Sequence, residues 1–194
     1  WKVVATDPTG SATSSVMNFT VPTGPDWSYN TGRITRAVDY SADGEYMVAG
    51  DGTDLEGYVH LFRKDSDQYV WRYDVGAQIR DVAISADGKY IAVGTHIQDE
   101  KLYLFGRDNN TPIWIHDFGN DIDVKSIAMS EDGNYIFVGT SNQVAHLFAR
   151  TSSTPLWTYT TDGDLDDVDI SADGSYMVVG GIGDSVSLFN SEGD

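Results

Sequence analysis

The side chains with the clearest capacity for chemistry in this chain are carboxylates. Asp51, Asp54 and Glu56 lie close together, and Asp162, Asp164, Asp166 and Asp167 form a second cluster. Oxygen-only clusters of this kind suit hard cations, Ca²⁺ above all, or a basic partner, although the spacing does not match an EF-hand loop. From residue 161 onward there are nine acidic residues and no Lys or Arg. A smaller set of cations recurs, Arg36, Arg80 and Lys125, with Asp166 in the corresponding fourth place. They could attract an anion to a common axis or pair with neighbouring carboxylates. The four histidines, His60, His96, His116 and His146, lack the spacing of a zinc site. With no cysteine there are no thiolate ligands, thiol nucleophiles or disulfides. A Gly-x-Ser-x-Gly elbow, a phosphate loop and a Rossmann glycine pattern are also missing. The residues therefore predict no cofactor beyond Ca²⁺ and no catalytic constellation.

The elements that must position these residues are given by a repeat. Val82-Ala83-Ile84-Ser85-Ala86-Asp87-Gly88-Lys89-Tyr90-Ile91-Ala92-Val93-Gly94 is matched by three further copies, whose serines (Ser41, Ser85, Ser130, Ser171) stand 44, 45 and 41 residues apart. Each copy is an apolar run, a polar turn and a second apolar run. The Asp-Gly step of the turn supplies positive φ, and β-branched and aromatic residues favour strands on either side. A third run carries Leu61-Phe62, Leu104-Phe105, Leu147-Phe148 or Leu188-Phe189. A fourth carries Trp27, Trp71, Trp114 or Trp157, spaced 44, 43 and 43 residues apart.

Four short strands in about 43 residues predict an all-β fold, a β-propeller of four-stranded blades. One tryptophan run precedes the first blade and none follows the last. The N-terminal strand is thus expected to close the last blade and remove open edges. Four repeats allow a closed four-bladed ring, part of a larger ring, or two chains sharing eight blades. Two residues beyond each tryptophan come Tyr29, Tyr73, His116 and Tyr159, on the same strand face. One aromatic pair per blade is what packing between blades requires. The turn aspartates are expected to accept hydrogen bonds from turn amides.

Hydrophobic residues make up 40% of the chain and charged residues 22%, the balance of a globular protein. No apolar run is long enough to span a bilayer. The net charge of −18 argues against nucleic acid, whose binders bring Lys and Arg to the phosphates. Residues 1–22 differ in character: Lys2 balances Asp7, and two alternating runs flank a Pro-Thr-Gly turn. Trp1-Lys2-Val3-Val4-Ala5-Thr6-Asp7 followed by Asn18-Phe19-Thr20-Val21 resembles the last hairpin of a fibronectin type III or immunoglobulin-like module. Residues 23–26 then read as a linker and 27–194 as the propeller. A chain beginning at Trp1 reads as processed or as part of a longer one.

The blade pattern, with Trp71 and Tyr73, Val82 to Thr95, Leu104-Phe105 and Thr111-Pro112-Ile113-Trp114, resembles WD40-like and quinoprotein-like repeats of archaeal surface proteins. It departs from both parents, having neither Gly-His and Trp-Asp dipeptides at repeat positions nor a Gly-Lys-x-x-Trp docking pattern. The resemblance implies an extracellular, cell-surface location beside immunoglobulin-like modules. The expected function is non-catalytic: structure, adhesion or assembly through protein–protein contacts, including self-assembly through the N-terminal strands. The alternatives are a ligand-binding or quinoprotein-like enzymatic propeller and an intracellular scaffold. Asn18 and Asn109 head glycosylation motifs that matter if the chain is secreted.

Overall fold

The computed structural model describes residues 24–96, 98–182 and 186–193, so the module expected at 1–22 lies outside the described residues. The first antiparallel sheet runs in chain order through β1 (Thr35–Tyr40), β2 (Tyr46–Asp51), β3 (Tyr58–Arg63) and β4 (Tyr69–Asp74). The second holds β5 (Ile79–Ile84), β6 (Tyr90–Thr95), β7 (Lys101–Gly106) and β8 (Pro112–Asp117). The third holds β9 (Val124–Met129), β10 (Tyr135–Thr140), β11 (Val144–Ala149) and β12 (Pro155–Thr160). The fourth has three strands, β13 (Asp164–Ile170), β14 (Tyr176–Ile182) and β15 (Ser187–Asn190). The inner strands β1, β5, β9 and β13 pack one after another, so the sheets are successive propeller blades. Among the described residues no helix is long and apolar enough to cross a membrane.

The turn between the first two strands of each blade is built alike four times. Gly44, Gly88, Gly133 and Gly174 have φ of 69°, 67°, 66° and 69°, a region glycine adopts without a Cβ penalty. Each donates its N–H to the serine carbonyl three residues back at 2.8 Å. In the second blade the buried Ser85 Oγ accepts the N–H groups of Lys89 and Tyr90 at 3.1 Å and donates to Asp87 Oδ1 at 2.9 Å. The aspartate also accepts the Lys89 N–H at 3.0 Å, as expected of a turn carboxylate. The Ser175 hydroxyl, then the Ser171 hydroxyl and the Ser175 N–H, hold the Asp173 carboxyl down at about 2.

The core lies between blades. Val48, Leu61 and Trp71 of the first blade meet Ile79, Val82 and Phe105 of the second. Trp71 Nε1–H donates to the Arg107 carbonyl at 2.7 Å, and its ring stands 5.5 Å from Phe105. Trp114 with Arg150 and Phe148, and Trp157 with Ser191 and Phe189, repeat the contact one and two blades later. The middle strand of each blade leaves a glycine where the next blade's inner strand presses in. An added Cβ would stand 2.3 Å from Ile79 Cγ2 at Gly50, 2.3 Å from Val124 Cγ1 at Gly94 and 2.0 Å from Leu165 Cδ2 at Gly139.

The two ends of this series are open. Val82, Ile127 and Val168 are 5%, 7% and 6% exposed, whereas Val38, their counterpart in the first blade, is 72% exposed. At the other end Tyr176, Val186 and Leu188 are 55%, 75% and 66% exposed. Trp27 takes the expected tryptophan seat on the first blade, donating to the Lys64 carbonyl at 2.7 Å and standing 5.5 Å from Phe62. Its segment forms no strand pairing with β15 among the described residues, so the last blade keeps three strands. The tryptophan segment is thus seated against the first blade, and among the described residues it adds no fourth strand to the last one.

Candidate functional site

The inner strands set up a polar cleft through a shared irregularity. On each, the pairing with the second strand slips by one residue, between Thr35 and Ala37, Ile79 and Asp81, Val124 and Ser126, and Leu165 and Asp167. The skipped residues are Arg36, Arg80, Lys125 and Asp166. A bulge frees one side chain from the pleat and re-aims it, and all four line one cleft of about 410 Å³. Asp81, Ser126 and Asp167 share the lining. The convergence of the basic positions on one axis was legible in the repeat. Their pairing with carboxylates was not realised: among the described residues none of the three cations forms an ion pair with Asp or Glu. With its amide oxygen turned toward Arg36, Gln78 accepts from Nε and Nη2 at 3.2 Å.

Below the cations, carboxylates stitch one inner strand to the next. Asp39 Oδ2 accepts the Ile84 N–H at 2.9 Å, and Asp81 Oδ2 accepts the Ile127 N–H at 2.7 Å. At the third step the Ser126 hydroxyl donates to Asp167 Oδ1 at 2.8 Å. Burial raises the Asp81 carboxyl above its usual range despite the Ile127 and Val82 N–H groups that bind it, and the Asp167 and Asp39 charges add to the rise. The repeat did not single out Asp39, Asp81 or Ser126. Lining up the inner strands by bulge would have shown a polar side chain after it on three of the four, Asp81, Ser126 and Asp167, with Ala37 on the first.

The seven carboxylates expected to share a cation-binding rim are engaged separately. Asp51 is fully buried, with Oδ1 accepting the Tyr58 N–H and Oδ2 bonded to His60 Nε2, both at 3.0 Å. Glu56 forms an ion pair with Arg33 at 2.5 Å. Asp164 accepts from Gln143 Nε2 at 3.0 Å, Asp167 is held by Ser126, and Asp166 lines the cleft with the cations. Asp54 is exposed on the loop between β2 and β3, and Asp162 lies in the turn before β13. Among the described residues no three His, Asp or Glu side chains are grouped so as to hold a metal ion.

Asp51 and His60 belong instead to a buried polar clasp that recurs with different residues. In the second blade Thr95 and Tyr103 hydroxyls donate to Asp99 Oδ2 at 3.1 and 2.7 Å. In the third, Thr140 Oγ1 meets His146 Nε2 at 3.2 Å. Burial lowers the His60 imidazole pKa, opposed by the bond to Asp51. Burial takes His146 down to about 4, and neighbouring His116 adds to the fall. Such imidazoles are neutral polar spacers in a packed interior. Neither a scan against protein-family models nor a search of curated proteins gives a match to this chain.

Proposed function

We propose that the chain is a non-catalytic, extracellular, surface-attached β-propeller whose role is structure, adhesion or assembly. The observation that supports this reading is the commitment of chemistry-capable side chains to the architecture. Asp51 with His60, Asp99 with Tyr103, and Asp39 and Asp81 with the next inner strand are all spent on holding blades. The excess carboxylates on the surface favour solubility and oppose phosphate-bearing partners. Exposed Asn109 is open to glycosylation in a secretory setting. The test is labelling of intact cells that express a tagged chain with a membrane-impermeant amine reagent. The reading requires the chain to be labelled without lysis; labelling only after lysis would transfer it to the intracellular class.

A second reading, a ligand-binding propeller, draws on the bulged Arg36, Arg80 and Lys125 at the cleft. An anion held there would make the cleft the functional centre. Calorimetry with succinate and with inorganic phosphate decides between the two. Saturable heat that disappears in Arg80→Ala would replace the first reading with the second.

A further inference from the structure

Among the described cations, Arg33, Arg63, Lys64, Lys89, Lys101 and Arg107 each pair with a carboxylate, and Arg72 and Arg150 lie over tyrosine rings. Arg36, Arg80 and Lys125 do neither. In a chain with 30 acidic and 12 basic residues, partners are abundant, so cations without one are set apart by their position. All three stand at inner-strand bulges, and all three line the same cleft. Arg36 meets only the Gln78 amide oxygen, and the Arg80 and Lys125 side chains have no hydrogen-bond partner among the described residues.

The cleft also holds a seat of the opposite sign. Asp167 takes the Ser126 hydroxyl and the Val168 N–H on Oδ1, at 2.8 and 3.0 Å, and its Oδ2 has no donor among the described residues. Asp81 shares the lining, and of the charges around it those of Asp167 and Asp39 act most. Carboxylates that repel one another across a cleft favour the entry of a cation between them. The cleft continues into a pocket of about 330 Å³ that shares Asp81, Ser126 and Asp167 and adds Asp39 and Asp169, so the basic and acidic ends form one continuous space.

The formal charges of the upper lining cancel, Arg36, Arg80 and Lys125 against Asp81, Asp166 and Asp167. An inorganic oxyanion would satisfy the cations while meeting the carboxylates with like charge. Among the described residues no aromatic ring lines either pocket, so a base or a sugar ring has no stacking platform. A small ligand bearing both signs answers the whole lining. Three cations leave room for more than one carboxylate on it.

We propose that the cleft binds a free amino dicarboxylate of the size of aspartate or glutamate, its two carboxylates on Arg36, Arg80 and Lys125 and its ammonium on Asp81 and Asp167. The volume of about 410 Å³ admits such a molecule with part of its water. Arg80, Asp81, Lys125 and Ser126 belong to the second and third blades, each of which has a blade packed on either side, so the centre of the site lies within the described sheets. This inference deepens the ligand-binding reading and rests on it, adding that the ligand is positive as well as negative.

The experiment is titration calorimetry of the full chain with L-aspartate, succinate and inorganic phosphate. Succinate differs from L-aspartate only in lacking the α-ammonium. One charge-assisted contact to the carboxylates predicts that L-aspartate binds about tenfold more tightly than succinate. In Asp167→Asn, whose amide oxygen still accepts from Ser126, that preference should shrink to within about threefold. Arg80→Met, which lies outside the strand ladder, should weaken both ligands. Arg63→Met, whose charge is paired with Glu45 away from the cleft, should alter neither. Succinate or phosphate binding as tightly as L-aspartate, or a preference that survives Asp167→Asn, would overturn the inference and leave the anion reading standing. No saturable heat from any of the three would overturn both.

Discussion

A Cβ at Gly94 would stand 2.3 Å from Val124 Cγ1 and 2.8 Å from its Cβ, with neither valine atom able to swing away as a long side chain could. Gly94→Ala should therefore lower stability by about 1–3 kcal/mol through overpacking between blades. Chemical denaturation of Gly94→Ala beside Gly180→Ala checks this, since the second substitution meets nothing within 4 Å among the described residues. His146 makes a second prediction at this scale. An unfolded imidazole takes up its proton near 6.5, whereas the folded one does so only near 4. Between those values the unfolded state binds more protons, so stability falls as pH drops through the window and levels off below it, by roughly 3 kcal/mol at most. His60 acts in the same direction. Melting temperatures measured across this window should show a shallower slope in His146→Phe than in the wild type. A cation should find no home among the separately engaged carboxylates. Calorimetric titration with millimolar Ca²⁺ is expected to give no saturable heat, and tight binding would show that exposed Asp54 and its neighbours can regroup.

At the scale of the element, the hairpin turn depends on a buried hydroxyl. Ser85→Ala removes the acceptor of the Tyr90 N–H, one of the two acceptors of the Lys89 N–H and the donor to Asp87, at a cost of about 1–3 kcal/mol. Asp87→Asn keeps an acceptor oxygen, so its loss in a thermal melt should be clearly smaller. These turns were legible in the sequence because everything they need is local: Ser, Asp and Gly within four positions. The tryptophan and Leu-Phe strands were legible because each recurs once per blade at a fixed distance. The inner-strand bulge was hidden, since Arg36, Arg80 and Lys125 look like ordinary alternating strand residues until the register with the second strand is known. The Asp51–His60 clasp was obscured for another reason. Its partners vary between blades, Asp with His, Thr and Tyr with Asp, Thr with His, so no residue type recurs to mark it.

At the scale of the molecule, what the repeat left open was the number of blades in a ring. The small rotation at each interface accumulates along the chain, and no residue encodes the sum. The bulge on each inner strand has a bearing of its own. Because Arg36, Arg80, Lys125 and Asp166 stand outside the ladder, the pleat neither needs nor constrains their identity. Each blade thus carries one variable letter in an otherwise fixed word. A charge can be rewritten at the axis, blade by blade, without disturbing the grammar that folds the sheet.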